Sequence, residues 1–181
     1  MKPLKLLVTV MALLGSGCSS TPSGSVKDAA SAAAPAAPAK PLLDFGTVDV
    51  APASGSGREA TLRVSVKAGP QKPAMIWLLI NDRQNGGDAC YVSRNLVTND
   101  NSLVADTGSG AISLGKEKSV ANRQCELLRN GTDSTADASG IVATFHVRFR
   151  PGFRGSKHTW VMPTDAVGNG QLKQAGDWTV Q

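Results

Sequence analysis

The stretch Met75 to Val92, MIWLLINDRQNGGDACYV, constrains the fold more than any other part of the chain. Ile76, Trp77, Leu78, Leu79 and Ile80 form an apolar run bounded by Pro73 and by Asn81-Asp82, and a run of this length is too short for a buried helix. It predicts a central strand. The segment NDRQNGGD concentrates residues that tolerate turns and positive φ, and the chain resumes with Cys90 and the β-formers Tyr91 and Val92, so the stretch predicts a hairpin with a long loop.

The flanking sequence repeats the β pattern. Phe45, Val48 and Val50 predict a first, edge strand that Pro52 ends, and ASGSG after it reads as a loop. Ala60, Leu62, Val64 and Val66 then alternate with Thr61, Arg63, Ser65 and Lys67 in period two. Short apolar pieces lie among Asn, Asp and Gly from Asn95 to Gly115, and Lys118 to Leu128 predicts a strand around Cys125. Asn130 to Gly140 reads as a polar turn region. Ile141, Ala143, Phe145, Val147 and Phe149 alternate with polar or outward residues in the cleanest strand signal of the chain. Further strands are expected at Lys157 to Met162 and around Asp177 to Val180, with Trp77, Trp160, Phe145 and Phe149 buried. Seven to nine strands without one amphipathic helix predict an all-β sandwich of two antiparallel sheets spanning residues 42–181.

The N-terminal part has a different character. MKPLKLLVTVMALLGSGC carries two lysines, an apolar run from Leu6 to Leu14 and small residues before Cys18, the anatomy of an export signal over residues 1–17. Its apolar run is too short for a permanent membrane span. Residues 18–41 are built of Ser, Ala, Pro and Gly with almost nothing to bury, which predicts a flexible, solvated tether. The formal charge of +5 loses the two charges of Lys2 and Lys5 with the signal, leaving +3, a balance that permits anionic partners without requiring them.

Two resemblances follow from these residues. The first eighteen residues resemble a bacterial lipoprotein signal, which implies lipid attachment at Cys18, although Gly15 stands where that family usually has a large aliphatic residue. A secreted chain cut by the ordinary signal peptidase is the alternative. Ser19 after the cysteine resembles outer-membrane members, which implies an exported protein facing the periplasm or the cell surface. FGTVDVAPASGSGREATLRVSV, WLLINDRQNGGDACYV and TFHVRFRPGFRGSKHTWV with GDWTV resemble a bacterial Ig-like or fibronectin-III-like module, a resemblance that names a fold and no activity. With Cys18 committed to lipid, the remaining two of three cysteines, Cys90 and Cys125, form an even pair, and an oxidising compartment makes them an expected disulfide.

No constellation for catalysis stands out. His146 and His158 are the only histidines, and neither lies in a recognisable nucleophile context. Gly110 to Glu117, GAISLGKE, approaches a phosphate-binding loop but puts Glu117 where Ser or Thr is needed, before no expected helix. Asn81-Asp82, Asp100-Asn101 and Asp106 lack the ligand spacing of a calcium loop. No metal, cofactor or specific nucleic-acid partner is expected. One surface is a candidate for anion binding: the outward register of His146, Arg148 and Arg150, continued by Arg154 and Lys157, which could equally be a solvated strand face. The expected protein is a lipid-anchored envelope module, monomeric and non-enzymatic, serving structure, adhesion or protein interaction. A carbohydrate- or anionic-polymer-binding module and a minor envelope enzyme or accessory domain are the alternatives.

Overall fold

The computed structural model describes residues 42–181; the expected export signal, Cys18 and the expected tether lie outside the described residues. Period-two alternation builds the first sheet. In β3 (Glu59–Lys67), Ala60, Leu62, Val64 and Val66 are buried while Thr61, Arg63 and Lys67 are exposed, and β10 (Gly140–Phe149) places Ala143, Phe145, Val147 and Phe149 on the same inner side. Phe145 lies opposite Leu62. With β1 (Val48–Ala51), β8 (Ser119–Ala121) and β9 (Cys125–Asp137) they form a five-stranded sheet in the order β1-β3-β10-β9-β8.

The expected hairpin builds the second sheet. β4 (Met75–Asn81) pairs antiparallel with β5 (Cys90–Asn95), with Ile80 opposite Cys90. The sheet is completed by β2 (Ser54–Ser56), β6 (Asn101–Val104), β7 (Ala111–Ser113), β11 (Gly155–Thr164) and β12 (Lys173–Val180), in the order β2-β12-β11-β4-β5-β6-β7. Ile76, Leu78 and Ile80 of β4, Val92, Leu103, Val161 and Val180 share one core with Leu62, Val64, Phe145 and Val147 of the other sheet. The two sheets thus face each other as a sandwich. Burying each of the large side chains contributes on the order of 2 to 3 kcal/mol.

Four expectations are corrected. There are twelve strands among the described residues rather than seven to nine, because β2, β7 and β8 are three-residue pieces with exposed or half-buried side chains that hydrophobic periodicity does not register. β2, read as a loop, runs parallel to β12, the one parallel pair in otherwise antiparallel sheets. The polar segment Asn130 to Asp137 is strand rather than turn: β9 follows β10 along its whole length, with a register shift between Thr144 and His146, and its far half carries no buried residue. β12 begins at Lys173, four residues earlier than expected. Trp77 also departs from expectation, being only half buried. Alternation sends it to the face opposite Ile76 and Leu78.

Two straps join the sheets along one strand pair. Cys90 opens β5 and is bonded to Cys125 at the start of β9, both fully buried, with an S–S distance of 2.07 Å. Four residues along β5, buried Arg94 donates from Nε to Ser134 Oγ of β9 at 3.0 Å and from Nη1 to the Asn99 carbonyl at 2.9 Å. The disulfide closes a loop of sequence separation 35. In the chain-entropy account a closure of this length stabilises by about 3 to 4 kcal/mol. The Cys90→Ala/Cys125→Ala variant is expected to lose about that much in urea unfolding, with an unchanged far-ultraviolet spectrum in the absence of denaturant.

Candidate functional site

The basic strip does not form as a continuous surface. His146 and Arg148 do project from the outer face of β10, but acids meet them there. Arg148 Nε donates to Glu59 Oε1 at 2.5 Å and its Nη1 lies 3.4 Å from Glu126 Oε2. His146 Nδ1–H donates to the Asn130 carbonyl at 2.6 Å, which turns Nε2 toward Glu59 Oε2 at 3.4 Å. Arg150 and Arg154 are exposed on either side of the 3-10 turn Pro151–Phe153. That turn carries the chain from one sheet to the other, so the outward register of β10 does not continue into β11. Lys157 is the correction: it lies opposite inward Trp178, is 8% exposed, and holds its ammonium 4.5 Å from the centre of the Phe153 ring. Its stem packs in the core margin and its charge rests on an aromatic face.

The hydrogen bond from Arg148 is the main cause holding the Glu59 carboxyl below its ordinary range, against an opposing push from burial; the same bond raises Arg148. A carboxyl depressed in the folded chain adds stability above its unfolded pKa, and that contribution disappears as pH falls through the folded value. Glu59→Gln is therefore expected to lower the urea midpoint near pH 7, and to lower it progressively less as the pH falls through the depressed range of the folded carboxyl. An effect independent of pH would assign Glu59 a packing role instead.

The two outer faces differ in kind. Beside Thr61, Arg63, His146 and Arg148 on the five-stranded sheet, the seven-stranded sheet sets Trp77, Leu79, Tyr91, Val104, Ala111, Trp160 and Met162 outward. Leu79 and Trp160 form a small second cluster with Ala89, flanked by Tyr91 and Leu172. Trp77 and Tyr91 lie 5.1 Å apart between ring centres with planes tilted by 46°. They floor a groove of about 410 Å³, walled by Val104, Met162, Asn169, Ala111 and the glycines of the β6–β7 hairpin. Gly108 has a φ of +77°, and a side chain there would strike the backbone of Gly87 at 2.7 Å, so the hairpin and the β4–β5 loop close against each other only through glycine. Trp77 shares its cross-strand row with Ser93, Ser102 and Ser113. Burial pushes the Tyr91 phenol up to about 12, so it stays protonated and able to donate.

Trp77 reads as a core residue because a run of five apolar residues hides which of them face inward. Counting alternate positions from Ile76 and Leu78 separates Trp77 and Leu79 from the core set, and that signal was available. His158 was also placed without its partners: its Nδ1 lies 2.5 Å from Asp177 Oδ1, Gln174 Nε2 approaches both, and its ring meets Trp160 edge-on at 5.5 Å. The pair is exposed, and among the described residues no hydroxyl or thiol bonds to His158.

The remaining motifs resolve into local structure. Gly110 to Glu117 contributes β7 and a turn at Gly115. Asp100 accepts from Ser113 Oγ and Gly115 N, and Asp106 pairs with Arg123 at 3.1 Å. Among the described residues no group of three or more His, Cys, Asp or Glu could hold a metal ion. No protein-family model matches the chain, and no curated protein sequence matches it.

Proposed function

We propose that this chain is an exported envelope lipoprotein whose sandwich is a binding module, working through the outer face of the seven-stranded sheet. The observation that carries the reading is the contrast between the two outer faces. A solvent-facing sheet surface ordinarily alternates to polar residues, as the five-stranded sheet does with Thr61, Arg63 and Arg148. Half-buried Trp77 belongs to neither packed cluster, and aromatic surface left open over a groove marks interaction sites. The lipid anchor at Cys18 and the Ala/Pro-rich tether support a module held near a membrane with freedom to reach a partner. The charge balance of His146 and Arg148 against Glu59 and Glu126 disfavours the basic strip as the working surface.

Two experiments test the reading. The native chain from a membrane fraction is expected to begin at Cys18 and to carry acyl mass, which Cys18→Ser removes. In co-sedimentation with isolated envelope fragments, Trp77→Ala/Tyr91→Ala is expected to lower retention at least fivefold or so while Glu59→Gln retains it. Equal retention of both variants, at unchanged thermal midpoint, would move the working surface elsewhere.

A further inference from the structure

We propose that the Trp77–Tyr91 groove holds a ring of a neutral sugar, with Trp77 stacked on its C–H face. The inference rests on the binding reading of this sheet face and adds the chemical class of the ligand. No charged side chain lines the groove, so a charged group entering it would give up hydration without a counter-charge. The walls are not purely apolar either. The Tyr91 phenol and the Asn169 amide are polar groups that an acyl chain would leave without partners. A pyranose meets both conditions, since its axial C–H bonds carry partial positive charge toward the negative ring face and its equatorial hydroxyls form a rim of donors and acceptors.

The size agrees: about 410 Å³ lies within the ~300–1,000 Å³ range of small-ligand sites. The wall at Gly110 is open, since nothing lies within 4 Å of the place a side chain would take. A ring in the groove can therefore continue into neighbouring sugars on that side, which points to an oligosaccharide rather than a free monosaccharide.

The test titrates the full chain with chitotetraose, cellotetraose and maltotetraose, followed by calorimetry and by acrylamide quenching of tryptophan fluorescence. Trp160 and Trp178 are buried at 7% and 8% exposure, so the quenchable signal reports Trp77. At least one sugar is expected to bind with Kd near about 1 mM or tighter and to shield that signal. Affinity should hold between about 50 and about 500 mM salt, because no ion pair forms in the groove. Trp77→Ala should weaken binding about tenfold or more, and Trp77→Phe, which keeps a ring, by no more than about threefold.

Failure of all three sugars to shield the signal overturns the proposal, as does unchanged affinity in Trp77→Ala. The shielding measurement uses the unaltered chain and decides the matter even if Trp77→Ala does not fold. Envelope retention that depends on Trp77 but is not competed by any of the sugars would remove the sugar class while leaving the binding face in place. Competition by a peptide of residues 31–41 in that case would make the occupant an Ala/Pro-rich segment. Retention independent of Trp77 would remove the face itself.

Discussion

The covalent bond between Cys90 and Cys125 is the constraint on which the rest of the sandwich depends. It joins β5 to β9, and therefore one sheet to the other, at fully buried positions where no water competes. Arg94 repeats the connection toward the other end of β5 by a different chemistry, a guanidinium shared between Ser134 and Asn99. Between the two straps Val92 packs into the common core. Strand β5 is thereby held from its inner side at both ends, and the hairpin partner β4 inherits that position through its ladder. The outward residues of the same two strands, Trp77 and Tyr91, are set by this inner fixation. A groove floored by neighbouring strands of a clamped hairpin is preorganised without any loop having to order.

The chain divides its surface chemistry between its two sheets. On the five-stranded sheet, opposite charges meet across strands: Arg148 of β10 lies between Glu59 of β3 and Glu126 of β9, so the local field is small. On the seven-stranded sheet, the outer rows are aromatic, aliphatic and hydroxylic, with His158 and Asp177 at the margin. A net positive charge summed over the whole chain thus says little about either face, because Lys67 of β3 and Arg148 of β10 are answered locally by Asp49, Glu59 and Glu126.

What was legible in the sequence was what alternation writes in large residues. Ala60 to Val66 and Ala143 to Phe149 announced two strands and their inner faces, and the Asn/Gly-rich loop before Cys90 announced the hairpin. The even pair of cysteines announced the strap. Asn130 to Asp137 was not legible, because its strand character comes from the ladder with β10 rather than from side chains of its own. Lys157 was misplaced because register cannot be carried across the turn at Pro151–Phe153, where the chain changes sheets. The approach of His158 to Asp177 depends on the pairing of β11 with β12, and the groove depends on loops separated widely in sequence. Both belong to tertiary structure. Trp77 was the intermediate case, readable by position but obscured by apolar neighbours on each side.

The outermost strands decide where another backbone could add to the sandwich. The four margins of the two sheets are β1, β8, β2 and β7, none longer than four residues. Each end strand offers a foreign backbone only a brief row of free amides and carbonyls, whereas β8 covers just Glu126 to Leu128 of β9 and leaves the polar stretch Asn130 to Asp137 as a longer uncovered edge. A strand added to the sandwich would therefore have to pair along Asn130 to Asp137, where the exposed acids Asp133 and Asp137 and the lack of any buried side chain discourage it.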